Sequence, residues 1–348
     1  MTDTRKISRR GFGRLAAGSF AAGVALPMIG AGARAQDRKA VTFLFDVKPY
    51  SKHALFYPAL ENGYFAKRGL DVTFNAGKGS ADVAQKVAAK GAEFGFVDAG
   101  TAVLARGRGM PIKLTSMVHY KNMMTVASLR EPPIRTPKDL EGLKIAANAG
   151  DSVRTALGAV AAINGIDFRK IEFVTVETAN KRPLLFAGQV DATCDYAVNM
   201  PVYEAAAAKM GKQASQVLFS EFGVDVYSNG ILTRDDVLKD DPKLARDFND
   251  AMVESMIFAI ENRDEAVKMF LKHNPQSDGE LARAGLDVAI EHLLVPEVAE
   301  HGLGPMSREK MARTIEIMKS YFNLAGSVSP ADMYSNDFVT AGRKPKAA

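Results

Sequence analysis

Residues 41–101 read VTFLFDVKPYSKHALFYPALENGYFAKRGLDVTFNAGKGSADVAQKVAAKGAEFGFVDAGT. The stretch divides into a short apolar run (VTFLF), a polar loop (DVKPYSKH) and a helix-like segment (ALFYPALENGYFAKRG). A second run (LDVTFN), a Gly/Ser turn, a second helix-like segment (ADVAQKVAAKG) and a third run (AEFGFVD) follow. Strands alternating with helices predict a parallel sheet with helices on its faces. The ligand groove of such a sheet lies beyond the carboxyl ends of its strands. Asp46 to His53, Asn75 to Ser80 and Asp98 to Thr101 are therefore expected at one rim.

Outward from this block, Gly69 reads as a helix stop. Pro58 fits either the first position of a helix or a distorted first turn. Residues 112–118 and 123–129 give two further extended runs. Glu131-Pro132-Pro133 and Thr136-Pro137 break the pattern, which places a crossing between domains near residues 119–133. A second strand–helix series follows: LKIAAN (143–148), a helix with Asp151 or Ser152 at its cap, IEFVTVE (171–177), QVDATCDY (189–196) and QVLFSE (216–221). Residues 224–233 are extended and cross back. Asp241-Pro242 then opens a helix as cap and first residue. Its stripe Leu244, Phe248, Met252, Met256 and Ile260 has helical spacing. Further helices are expected at 263–273, 278–293 and 307–321. The tail from Ser327 is polar, with residues 341–348 expected to be disordered.

The amino terminus reads as an export signal. Arg9-Arg10 lies in SRRGFGRL, a Gly/Ala-rich apolar run follows, and Ala33-Arg34-Ala35 supplies a small-residue cleavage site. These 35 residues hold six of the 45 basic and one of the 40 acidic residues, so the remainder carries 39 of each. The basic balance thus belongs to the signal, and it gives no argument for a nucleic-acid partner. About 310 remaining residues predict two domains. Cys194 is the only cysteine, so an intrachain disulfide and a cysteine-rich metal site are both excluded. The five histidines form no HExxH pair.

The phrases HALFYPALENGYFAKRGLDVTF, GSADVAQKVAAKGAEFGFVDAGT, TPKDLEGLKIAANAGDSVRTAL and YSNGILTRDDVLKDDPKLARDF carry a family resemblance. Together they resemble the periplasmic solute-binding components of ABC importers for nitrate, sulfonates, taurine and thiamine pyrimidine precursors, over roughly residues 41–270. The resemblance implies an α/β fold of type II with two lobes joined by two crossover segments, and a helical C-terminal part. Lobe I would comprise residues 36–125 and 232–325, and lobe II residues 126–231; 1–35 would be the twin-arginine signal and 326–348 a polar tail. It implies a non-catalytic periplasmic monomer that holds a small-molecule solute without cofactor or metal. Its partners would be an ABC permease and the twin-arginine export machinery. Thiamine-pyrimidine binders carry Trp near the first strand's exit, whereas this chain has none and offers Tyr50 and His53 there. The cysteine-rich motif of the fungal pyrimidine synthases is missing, which disfavours an enzyme of that kind, the alternative from another class.

Ser80, Thr101 and Ser152 stand where helices begin at the groove, either as caps alone or also presenting amides to a solute. Asp46, Asp98 and Asp195 lie just past strand ends. Facing the groove, they favour a solute with N–H donors or an amine; paired with Lys48, Lys121, Arg154 or Lys181, they are structural. Arg154 offers a clamp for a carboxylate or an ion pair. Tyr50, Tyr196, Tyr227 and Asn229 are expected to shape the pocket, with His53 a contact or a cap. A nitrogen-containing, planar solute is the leading expectation, and sulfonates or other organic anions are the alternative.

Overall fold

The computed structural model describes residues 38–148 and 151–346. The proposed export signal lies outside the described residues. Two five-stranded sheets form the framework. The first contains β1 (Lys39–Phe45), β2 (Leu70–Ala76), β3 (Phe94–Asp98), β4 (Ile112–Met117) and β10 (Asn229–Arg234), in the order β2-β1-β3-β10-β4. The second contains β5 (Met124–Ser128), β6 (Lys144–Ala147), β7 (Glu172–Thr175), β8 (Ala192–Tyr196) and β9 (Ser215–Leu218), in the order β7-β6-β8-β5-β9.

The sheets are mixed, where the strand–helix alternation predicts parallel ones. β1 runs parallel to β2 and β3, and β6 runs parallel to β7 and β8. β10 is antiparallel to both β3 and β4, and β5 is antiparallel to both β8 and β9. The exceptions follow from the crossings. After β4 the chain leaves the first sheet at its carboxyl rim and enters the second at that sheet's carboxyl rim, so β5 must run against its neighbours. The return from β9 to β10 repeats the manoeuvre. Two reversed strands therefore turn the carboxyl rims of the sheets toward each other.

The crossings are fastened together. Val118 and His119 donate backbone N–H bonds to the Asn229 carbonyl at 3.1 and 2.9 Å, and Ser228 N–H donates to the His119 carbonyl at 3.1 Å. Tyr120 and Tyr227, one from each crossing, meet edge to face at 6.0 Å. The Tyr120 hydroxyl donates to the Pro305 carbonyl at 3.0 Å and accepts from Gly304 N–H at 2.7 Å.

Helices cover the sheets: α1 (Tyr57–Glu61), α2 (Ser80–Ala88) and α3 (Ala99–Gly107) in the first series, α4 (Ser152–Ile163), α5 (Lys181–Phe186) and α6 (Met200–Lys209) in the second. Gly69 ends the first helical segment at φ 72°, a conformation that favours glycine. Pro58 falls in the first turn of α1, after a separate 3-10 turn over Ser51–Leu55. The remaining chain is α7 (Asp235–Asp240), α8 (Pro242–Glu261), α9 (Arg263–His273), α10 (Gly279–Glu291), α11 (Pro296–His301), α12 (Arg308–Tyr321) and α13 (Pro330–Met333). Asp241 caps α8 by accepting from Leu244 N–H at 3.0 Å, and the stripe Leu244, Phe248, Met252, Met256 and Ile260 is buried. Phe248 stacks flat on Phe94 of β3 at 4.0 Å, which fixes α8 against the first sheet. Among the described residues no helix is long and apolar enough to cross a membrane.

The polar tail is ordered as far as it is described, contrary to the expectation for residues 341 onward. Met333 and Val339 are buried, Ser335 N–H bonds the Leu114 carbonyl, and Gly342 N–H bonds the His301 carbonyl at 2.9 Å. Two isolated apolar anchors and backbone pairing hold a segment whose composition alone is too polar to predict a core.

Candidate functional site

At the carboxyl end of β1, Asp46 is buried and surrounded by donors. Lys52 Nζ lies 2.6 Å from its Oδ2 and His53 Nε2 lies 2.9 Å from its Oδ1. Tyr50 N–H donates to His53 Nδ1 at 3.0 Å, so the ring proton sits on Nε2 and donates to Asp46. Burial lowers the His53 pKa, against the opposing pull of Asp46, and keeps the ring neutral. Burial would raise the Asp46 pKa, but the Lys52 charge and the bonds from His53 and Lys52 overcome it and hold the carboxyl well below its usual range. Lys52 also reaches Asn229 Oδ1 at 3.3 Å, and it lies over the rings of Phe96 and Tyr50 at 5.0 and 5.4 Å.

Asp98, at the end of β3, caps α3. Its Oδ1 accepts from Thr101 N–H at 2.9 Å and Thr101 Oγ1 at 3.2 Å. Ser80 Oγ accepts from Asp98 N–H at 3.0 Å, tying the start of α2 to β3. Asp98 stays half-buried, and burial pushes its carboxyl up to about 6 despite the Thr101 bonds.

The second rim presents a matching set. Asp151 caps α4 through Val153 N–H at 3.0 Å and pairs with buried Lys181 at 3.1 Å. Asp195, at the end of β8, accepts from Asn199 Nδ2 at 2.8 Å, from the Tyr203 hydroxyl and from Arg182 Nε at 3.3 Å. Ser152 Oγ and the Tyr196 hydroxyl share a hydrogen bond of 3.1 Å.

The rims meet. Tyr50 from the first and Tyr196 from the second join one apolar cluster with Met123, Ala197, Val198, Leu218 and Ala289. The phenol pKa values register the same closeness. Burial first, then Asp46 and Asp195, raise that of Tyr50; burial first, then Asp98, raise that of Tyr196. Helix α10 closes one side, because Gly285 lies against both Ser51 and the Val198 carbonyl.

The twelve residues singled out from sequence fall into three settings. Tyr50, Asp98, Ser152 and Tyr196 are half-buried where the rims face each other. Asp46, His53, Asp195 and Asn229 are buried and Ser80 and Thr101 half-buried, all engaged in the bonds described above. Two point elsewhere. The Tyr227 hydroxyl bonds Glu297 and accepts from Ser307 N–H at 2.7 Å, and the Arg154 guanidinium lies over Phe173 at 4.2 Å. Lys52, Lys181 and Arg182 complete the charge pairing but were not among those residues. The adjacency of Lys52 to His53, six positions from Asp46, was the available signal. Among the described residues no three His, Cys, Asp or Glu side chains are grouped to hold a metal ion.

Comparison with known proteins agrees with this architecture. The riboflavin-binding protein RibY of Chloroflexus aurantiacus is 25% identical over 312 residues, covering 87% of this chain and 86% of its own. The formylaminopyrimidine-binding protein of Halalkalibacterium halodurans is 24% identical over 268 residues, covering 76% and 79%. The fold is also that of the periplasmic aliphatic sulphonate binding protein SsuA from Escherichia coli, at TM-score 0.65 with 15% identity over 84% of this chain and 91% of that one. The alkanesulfonate-binding SsuA from Xanthomonas axonopodis pv. citri, bound to MOPS, gives TM-score 0.66 with 16% identity over 86% and 99%. With its residues 50–266 matching that family's profile, the chain belongs to the NMT1/THI5-like family.

Proposed function

We propose that this protein is the extracytoplasmic solute-binding component of an ABC importer, which captures a small, planar, nitrogen-containing molecule between its two sheets. The carrying observation is the meeting of Tyr50 and Tyr196 from opposite carboxyl rims, with Ser152 bonded to Tyr196 and the Asp98 charge acting on it. Two tyrosines offer flat apolar faces, and the flanking hydroxyls and carboxylate fix the orientation of a polar edge. Each sheet with its helices acts as one lobe, and the two crossings are the hinge about which the lobes open and close. The relatives named for riboflavin and formylaminopyrimidine, both nitrogen heterocycles, support this class of solute.

The site binds without catalysis. Both His53 nitrogens are engaged, which leaves no free ring nitrogen there to act as a base. The Cys194 thiol is buried and its pKa is raised by that burial, so it is no nucleophile. Residues 1–35 serve as a twin-arginine signal that delivers the mature chain to the periplasm. Changing Arg9 and Arg10 to lysine together is expected to leave the precursor in the cytoplasm, and normal export of that variant would remove this part of the reading.

A thermal-shift panel on the mature protein tests the main proposal. One-site ligand at a hundred times Kd adds about 2.7 kcal/mol. Stabilisation by flavins or aminopyrimidines is expected. Stabilisation by none of them, or conversion of a bound compound into product, would overturn the proposal.

A further inference from the structure

We infer that Asp98 selects the solute by its hydrogen-bond donors, taking a ligand N–H on its free carboxylate oxygen and turning away sulfonates and carboxylates by its uncompensated charge. The inference rests on the reading of the gap as a solute site and names the chemistry that site accepts.

Of the carboxylates Asp46, Asp98, Asp151 and Asp195, three are paired with a cation. Asp46 has Lys52 at 2.6 Å, Asp151 has Lys181 at 3.1 Å and Asp195 has Arg182 at 3.3 Å. Asp98 has no ion-pair partner among the described residues. Both bonds it accepts from Thr101 fall on Oδ1, and Oδ2 has no hydrogen-bond partner among the described residues. An acceptor left open where the surroundings are drying needs a donor, and closure of the lobes removes the water that would supply one. Lys52, Lys181 and Arg182 are each held by their own carboxylate. None of these three cations is spare for an oxyanion, and Asp98 itself carries a charge that no ion pair offsets. The Asp98 charge raises the pKa of the Tyr196 phenol, whose ring comes from the other sheet, so both groups belong to the gap between the rims. A flat heterocycle on that ring would turn an amide, imide or amino edge toward Oδ2.

The test is calorimetric titration of the mature protein and of Asp98→Asn at pH 7.5. The probes are riboflavin, 3-methylriboflavin, 4-amino-5-aminomethyl-2-methylpyrimidine, taurine and MOPS. Asparagine can keep the Thr101 cap through Oδ1, and it replaces the open acceptor by a donor; a melting curve confirms that the variant is folded. The native protein is expected to bind one or more N–H-bearing rings and neither sulfonate. Asp98→Asn should lose at least tenfold in affinity for such a ring. If riboflavin is the ring bound, methylation at N3 should cost at least tenfold in the native protein and less than twofold in the variant. A native protein that binds rings, with a variant that binds them equally tightly, refutes the role of Asp98 and leaves the ring site standing. Native binding of taurine or MOPS ahead of the rings refutes the charge selection. If the native protein binds no ring at all, the solute reading fails first and this inference falls with it.

Discussion

Replacing Asp46 by asparagine should destabilise the protein far more than a surface change, because it removes the one anion paired with a buried lysine. Lys52 is only 4% exposed in its side chain, with Asp46 at 2.6 Å. Breaking a buried pair by removing one partner costs about 3–5 kcal/mol, since the remaining charge keeps its desolvation cost without its counter-ion. Lys52 keeps Asn229 at 3.3 Å and the faces of Phe96 and Tyr50, and His53 can still donate to the asparagine oxygen. These contacts place the expected loss near the lower end, at about 3 kcal/mol. The pH dependence fixes the cause. Asp46 is held below its unfolded value of 3.8, so its contribution is fully present above that value and declines as pH falls through it. The gap between native protein and variant should therefore shrink by about 1 kcal/mol between pH 7 and pH 3. Urea unfolding of the mature protein, with equal slopes for both proteins, measures both quantities. Adding Lys52→Met to an Asp46→Leu background should recover most of the loss, because apolar replacement of both partners strands no charge. A loss below about 1 kcal/mol at pH 7, or a gap that does not change with pH, would refute the reasoning.

Two further expectations concern closure and pH. A Cβ at Gly285 would stand 2.3 Å from Ser51 Oγ and 3.1 Å from the Val198 carbonyl, so Gly285→Val should hold the rims apart. Calorimetry should show a loss of at least about tenfold in solute affinity, and scattering a larger radius with solute present; unchanged affinity would mean this contact does not limit closure. Asp98 is pushed up to about 6 by burial, with Lys52, Asp46, Thr101 and Tyr196 as the groups that face it. It is mostly ionised at pH 7.5 and about 9% ionised at pH 5. Affinity for an N–H donor should fall roughly tenfold across that interval, and affinity that stays flat from pH 7.5 to 5 would contradict it.

The chain's order of strands and helices was legible because it is written in local periodicity and capping. The runs around Phe43, Phe94 and Ile145 became strands, Asp241-Pro242 opened α8, and Gly69 ended a helical segment. Each of these signals spans a handful of neighbouring residues, so no knowledge of the fold was needed to read it. The family phrases likewise sit in continuous segments.

The tertiary structure decided what depends on partners remote in sequence. β5 and β10 run antiparallel because each enters a sheet built from another part of the chain, which the alternation of elements does not encode. The fate of the carboxylates was equally hidden. Asp46, Asp98 and Asp195 look alike as acids after strands, and only packing gave Lys52 to the first, Arg182 to the third and no cation to the second. Tyr227 read as a pocket tyrosine until folding brought it to Glu297, 70 positions away. Sequence thus determined which residues stand at the strand ends, since that is a local matter. Which of them retain an unspent charge or hydroxyl was settled by three-dimensional neighbours, because electrostatic pairing depends on distance in space rather than along the chain.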